Sequence, residues 1–462
     1  MTRSADPGSP PSSAGGGPSG TAGRATPTEG PPFPTGLVLE PFRALRYDLS
    51  RVELSRVTSP PYDVIDADGV AALEQSSDVN VVRLILPRDG SPTQEPDDRY
   101  ERAAATLTDW RARGVLRPDA HEALYVYEQH DRRDGHTQRG LLGALALSPA
   151  EDGIVLPHEN TMAGTVSDRL ALYTAVDADL EPIFLVHAGG GAASAAVASV
   201  DGETVGEPLV DADLPDGLHH RLWALTDPVV LAAIAADLRP RTAVIADGHH
   251  RYATYLQRQA QAQADGRGAG PWDYGLTLLV DAQAFGPQVH PIHRVLPGQD
   301  TQDLAARAAS GMRVHDLDGQ DLDDALQALA DAGRVGSAFL LASGDGGTLQ
   351  LLTDPDPQQR DAALPSDRSA AWRSLDVSVL HQYVVTHLWE LPDDEATVGY
   401  AHDVAACLAT AARTEGTAVL LNPTPISAVI EVAAGGERMP RKSTLFTPKP
   451  RTGLVIRDHR DA

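Results

Sequence analysis

Ala243-Val244-Ile245-Ala246-Asp247-Gly248-His249-His250-Arg251-Tyr252 joins a short apolar run to an amphipathic one through an Asp-Gly step. Ala243 to Ala246 reads as a short buried strand, and about His249 to Ala264 reads as a helix. A strand feeding a helix in this way points the free N–H groups of the first turn, and the positive end of the helix dipole, out of the strand's end. Such a turn is a natural seat for an anion. Gly248 lets the backbone approach a phosphate closely, while His249, His250 and Arg251 surround the turn with hydrogen-bonding or cationic heads. Asp247 either binds a metal such as Mg²⁺ or orients a histidine. The plain alternative is an N-cap aspartate with solvent-facing histidines.

Upstream stands Leu156-Pro157-His158-Glu159-Asn160. A carboxylate beside an imidazole, on backbone fixed by Pro157, makes Glu159 a candidate general base with His158 as its neighbour; a capping carboxylate on a surface turn is the competing reading. Asp168 to Asp177 reads as a short helix, Pro182 to His187 as a strand, and Gly189 to Asp213 as an exposed excursion. His290-Pro291-Ile292-His293-Arg294 is extended or turn-like because of its proline, so the helical two-histidine zinc geometry is out of reach. His293 and Arg294 are instead candidates for contacting nucleotide or substrate. In Met439-Pro440-Arg441-Lys442-Ser443-Thr444 the basic and hydroxyl side chains either meet a phosphate or form a solvated loop. Pro60-Pro61-Tyr62-Asp63-Val64-Ile65 reads as a rigid turn that presents Tyr62 and Asp63, a packing corner rather than a site being the preferred reading.

Elsewhere Asn80 to Leu86 and Ala123 to Tyr127 read as strands, with a helix from Asp97 to Arg113 between them, ended by Gly114. Towards the C-terminus, helices (Leu322 to Ala332, Val377 to Leu388, Val398 to Thr414) alternate with strands (Ser337 to Leu341, Thr348 to Leu352, Ala418 to Leu421). The expected class is α/β, or mixed α+β. The expected division is a disordered Gly/Pro/Ser-rich tail at 1–36, an N-terminal α/β region at 37–150, a core at 151–300 and a C-terminal α/β domain at 301–462.

Composition narrows the function. Lys and Arg number 38 against 64 Asp and Glu, a net charge of −26 that repels a polyphosphate backbone, so nucleic acid is not an expected partner. The one cysteine, Cys407, excludes a disulfide framework and suggests a reducing, cytoplasmic setting. No apolar run is long enough to span a membrane and no signal-peptide core is evident. The P-loop, G-x-S-x-G and H-E-x-x-H patterns are missing. His459-Arg460-Asp461 mimics a kinase triplet but leaves no room for the asparagine that should follow.

Together, Pro41 to Tyr47, Pro60 to Ile65, Pro157 to Glu159, Ala246 to Tyr252, His293 to Val295 and Arg438 to Phe446 resemble the bacterial domain-of-unknown-function 1015 (DUF1015) family. From about residue 154 the order of features is also similar to the ParB-like free serine kinases. Pro157-His158-Glu159, the Asp168 helix, Glu181-Pro182-Ile183, Ile245 to Tyr252 and the Arg441-Lys442-Ser443-Thr444 segment follow one another as they do there. The second resemblance implies a ParB-like nucleotide-binding core, ATP or ADP with Mg²⁺ as cofactors, and a small-molecule hydroxyl acceptor, serine-like, as substrate. It implies Glu159 as the base, with the Asp247 to Arg251 turn holding phosphates and metal. Residues 37–150 and the excursion after Gly189 depart from that pattern. Two other readings stay open: a ParB-like nucleotide-binding switch without kinase activity, and a metal-dependent hydrolase using His158, Glu159, Asp247, His249 and His250.

Overall fold

The computed structural model describes residues 36–88, 98–200 and 205–461. The tail read at 1–36 lies, but for Gly36, outside the described residues, as does Asp97. The fold is mixed α/β. Among the described residues nine strands share one sheet, in the order Val155–Leu156, Ala243–Asp247, Ile183–His187, Tyr274–Asp281, Thr137–Ala146, Leu124–His130, His219–Leu225 and Val210–Asp213, with Leu39–Glu40 added along Thr137–Ala146. Strands from both sides of residue 150 therefore lie in one sheet. Ile183–His187 is buried along its whole length and Ala243 to Ala246 likewise, which explains why both read as unbroken apolar runs. Helix His249–Ala264 packs against helix Ala163–Val176.

One pairing positions the site. Ala243–Asp247 runs parallel to Val155–Leu156, with Ala243 opposite Val155 and Val244 opposite Leu156. Parallel neighbours end on the same side, so the chain leaves both strands together and sets His158-Glu159 beside Asp247-Gly248.

A second sheet of six strands is antiparallel throughout, in the order Arg313–Asp316, Leu349–Thr353, Phe339–Ser343, Thr417–Leu421, His293–Leu296 and Gly399–Ala401. The C-terminal segment then returns to the first sheet's neighbourhood. Leu445–Thr447 pairs with Gln288–His290, Thr452 bridges to Ser59, Ile456 to Leu45, and Arg457–Asp458 pairs with Ala178–Asp179. Among the described residues no helix is long and apolar enough to cross a membrane.

Three local expectations need correction. Asn80 to Leu86 is not a strand: Asn80 turns the chain, its Oδ1 accepting from Val82 N at 2.9 Å and its Nδ2 donating to the carbonyl of Arg56 at 2.8 Å, and Val82–Ile85 is a single helical turn. The excursion from Gly189 contains a helix, Gly191–Ala198, which buries Ala193 and Val197 and packs on helix Pro228–Leu238, and a strand, Val210–Asp213. Val398 to Thr414 divides into strand Gly399–Ala401 and helix Val404–Arg413, because the Asp403 side chain caps the helix by accepting from Ala406 N at 2.7 Å.

Candidate functional site

The Asp247 turn is built on an irregular strand end, where the register against Ile183–His187 shifts between Ile245 and Asp247. Gly248 follows with φ +94°, left-handed backbone that a side chain rarely adopts. A Cβ there would lie 3.2 Å from Arg251 Nε and Nη2. The helix begins at His249, and Tyr252 N is the first to bond back, to Gly248 O at 2.9 Å. The three N–H groups before it have no partner within the helix.

Arg251, only 2 % exposed, lies beneath this turn. Its Nη2 donates to Asp247 Oδ2 and its Nη1 to the carbonyl of Pro182, while Nε has no partner. The other Asp247 oxygen, Oδ1, stands 2.6 Å from Lys449 Nζ, which is also 2.6 Å from Asp63 Oδ2. Next to Asp63, Tyr62 donates its N–H to Glu181 Oε1 at 3.0 Å and lays its ring 4.5 Å from the Arg169 guanidinium.

His249 and His250, at the start of this helix, lock the turn that carries His158. His249 Nε2 accepts the His158 N–H at 3.2 Å, the two rings meeting edge to face at 4.6 Å, and His250 Nε2 accepts the Met162 N–H at 3.0 Å. His158 Nε2 is 3.1 Å from Thr444 Oγ1. Burial pushes His158 down to about 4 and takes His249 well below the usual imidazole range, so both rings are neutral near pH 7. Glu159 Oε1 and Oε2 lie 3.9 Å from His158 Nε2 and His249 Nδ1, too far for hydrogen bonds, and its side chain is 38 % exposed. Burial, then the charges of Asp247 and Asp63, raise its carboxyl pKa, while Lys442 and Lys449 pull it down. A reachable carboxylate with a raised pKa suits proton transfer.

The basic loop is tied in from two sides. Met439 N donates to the carbonyl of His158 at 2.8 Å. From the second sheet, Arg294 Nη2 donates to the carbonyl of Lys442 at 3.0 Å. Lys442 itself is exposed and has φ +57°, left-handed for a side-chain-bearing residue. Arg294 is 1 % exposed, and its remaining donors go to Ile292 O and His381 Nε2. His293 is buried, its Nδ1 accepting from Leu421 N at 3.2 Å, and burial pushes it down to about 4. Arg441 is exposed and reaches the Asp393 carbonyl at 3.0 Å; the buried Ser443 hydroxyl turns back to Pro440 O.

Of the residues read from the sequence, His158, Glu159, Asp247, Gly248, His249, His250, Arg251 and Thr444 thus meet at one place, and the charge of Lys442 acts on Glu159. His293 and Arg294 lie under the basic loop, Arg441 at its far edge, and Ser443 inside it. The sequence reading set Asp63 on a packing corner and Lys449 in a basic segment, and joined neither to the Asp247 turn, where the structure brings both. Among the described residues no group of three or more His, Cys, Asp or Glu is arranged to hold a metal ion. Both oxygens of Asp247, the residue read as the Mg²⁺ ligand, already face cations, and the Nε2 atoms of His249 and His250 already accept backbone N–H groups.

No curated protein matches the sequence. Among solved structures, a mutant free serine kinase in complex with AMP is similar at 14 % identity and a TM-score of 0.33, over 67 % of this chain and 90 % of that one. A conserved hypothetical protein from Pyrococcus furiosus is similar at 15 % identity and 0.29, over 67 % and 94 %, and C-terminally truncated SbnI from Staphylococcus aureus at 10 % and 0.32, over 68 % and 87 %. Residues 39–378 match the sequence profile of the family described as protein of unknown function DUF1015, and the chain belongs to that family.

Proposed function

We propose that the protein is a nucleotide-dependent phosphotransferase with a ParB-like core that phosphorylates a hydroxyl group on a small molecule, a serine-like amino acid fitting the resemblance read from the sequence. The observation that carries this reading is the placement of Glu159: a partly exposed carboxylate with a raised pKa, set beside the unpaired N–H groups of the His249 turn. ATP or ADP phosphates would take the N–H groups and the positive end of the His249–Ala264 dipole. Glu159 would accept the hydroxyl proton as the oxygen attacks the terminal phosphorus, whose bond to the bridging oxygen breaks. Neutral His158 and His249 keep further positive charge away from that carboxylate, and Lys442 offsets the charge at the phosphate. Arg251 serves the seat through its bond to Asp247, and its Nε is left without a partner.

Mg²⁺ does not fit Asp247 as that residue stands between Arg251 and Lys449, and no step is assigned to it. The net charge of −26 favours a small-molecule substrate over nucleic acid, and the single cysteine fits a cytoplasmic protein. The histidine geometry above counts against the metal-dependent hydrolase.

The test is a phosphotransfer assay followed by phosphorus NMR, with ATP or ADP, Mg²⁺ and a panel of hydroxy amino acids led by serine. A new phosphomonoester that disappears with Glu159→Gln is the expected result. Nucleotide binding without any product would instead favour the ParB-like switch.

A further inference from the structure

The Pro60–Ile65 turn takes no part in the reading above, yet it comes within one ammonium group of the Asp247 turn. We infer that Lys449 is a phosphate-binding residue of the nucleotide seat, and that Asp63, from the N-terminal region, is the residue that positions it. The inference rests on the nucleotide-binding half of the proposed function.

Lys449 Nζ is 2.6 Å from Asp63 Oδ2 and 2.6 Å from Asp247 Oδ1. An ammonium carries three N–H donors, so two carboxylates leave one unused, and the side chain is 17 % exposed and therefore reachable. Charge makes the lysine necessary. Asp63 and Asp247 both act on Glu159, so three carboxylates lie close to the helix N-terminus; Arg251 pairs with one oxygen of Asp247 only, and without Lys449 and Lys442 an incoming phosphate would meet the remaining negative charge. A further donor waits below the turn. Arg251 Nε, buried and without a partner, lies 3.2 Å from the point a Cβ on Gly248 would occupy, so the missing side chain leaves space against the guanidinium edge.

Asp63 is well placed to fix the ammonium. Its own turn is anchored by the Tyr62 N–H on Glu181 and by the Tyr62 ring beside Arg169, so its carboxylate is set by packing and not by Lys449 alone. A seat for a nucleotide's diphosphate is thus assembled from three remote segments, around residues 63, 247–250 and 442–449.

Titration calorimetry on the full chain with ADP, pyrophosphate and adenosine tests this. Lys449→Met is expected to weaken ADP and pyrophosphate alike, about 10- to 100-fold, the worth of one charge-assisted contact, and to leave adenosine unchanged. The salt dependence of pyrophosphate binding should become shallower in the same variant. Lys449→Arg should restore most of the affinity, and Asp63→Asn should weaken both phosphate ligands by a smaller factor. If Lys449→Met does not fold, the double variant Asp63→Asn with Lys449→Met, which removes one charge of each sign, is expected to show the same loss. Unchanged ADP and pyrophosphate affinity with only a lower melting temperature would reduce Lys449 to a structural latch and overturn the inference, as would a wild-type protein that binds neither ligand. Lys449-dependent pyrophosphate binding without phosphoryl transfer would keep the inference and remove the kinase reading. Transfer with unchanged affinity in Lys449→Met would do the reverse.

Discussion

Arg294 donates from Nη2 to the main-chain carbonyl of Lys442 across 3.0 Å, and through that bond a strand of the six-stranded sheet holds a loop over the site on the nine-stranded one. Lys442 sits at φ +57°, a conformation that persists only when its surroundings enforce it. The guanidinium is itself fixed, by Ile292 O, by His381 Nε2 at 2.9 Å and by the Tyr400 ring at 4.8 Å. His381 in turn faces Asp393 Oδ1 at 2.7 Å, and the Asp393 carbonyl takes Arg441.

Arg294→Met should therefore act at a distance. It leaves the carbonyls of Ile292 and Lys442 without their donor, which is expected to cost about 1–3 kcal/mol in denaturant unfolding. It should also weaken pyrophosphate binding, because Lys442 is released. A variant as stable as wild type would show that Arg294 does not hold the loop.

Gly248→Ala tests the turn directly. The alanine has to adopt φ near +94°, and its Cβ lands 3.2 Å from the Arg251 guanidinium. A side chain in that region costs about 1–3 kcal/mol, and relief by backbone rotation would re-aim the N–H groups of the first helical turn. Loss of both stability and ADP affinity is expected; a melting temperature equal to wild type would mean the turn relaxes freely.

The C-terminal segment is secured by a buried charge cluster. Asp179 Oδ2 receives Arg457 Nη1 at 2.8 Å and Leu276 N at 3.1 Å, and Oδ1 is 3.0 Å from His459 Nε2. Burial works against this carboxylate, yet His459 and Arg457 hold its pKa down to about 2. A depressed carboxyl contributes stability above its unfolded pKa, about 3.9, that is lost as pH falls through the folded value. Unfolding followed between pH 5 and pH 2 should show this loss. Asp179→Asn, which strands a buried Arg457, should cost about 3–5 kcal/mol at neutral pH and flatten the acid limb; an unchanged acid limb would assign it to other carboxylates.

The strand-turn-helix step at Asp247 was legible because its signals are local. An apolar run, a glycine and a 3.6-residue period gave helix His249–Ala264 with the bounds observed, and Pro157-His158-Glu159 followed from the same kind of reading. Residues 80–86 misled because Val81, Val82, Leu84 and Ile85 are apolar and buried whether strand or helix, and the deciding interaction is the Asn80 side chain. Asp63 and Lys449 lie 386 positions apart, so no spacing in the sequence announces their pairing; what reveals it is the return of the C-terminal segment to the first sheet.

Glu159 makes a last expectation that separates a working residue from a structural one. Its carboxyl pKa is raised by burial first and then by Asp247 and Asp63, so the folded protein binds that proton more tightly than the unfolded chain does. A raised carboxyl contributes stability that is fully present below its unfolded pKa, about 4.3, and is lost as pH climbs through the folded value. At pH 7 the ionised side chain accordingly weakens the fold, and Glu159→Gln should raise the melting temperature there. At pH 3 and below, well under the unfolded value, the two proteins should melt together. A capping or ion-paired carboxylate predicts the opposite sign, a variant less stable at pH 7. Melting curves of both proteins at the two pH values decide between a carboxylate kept for chemistry at a cost in stability and one kept for the fold.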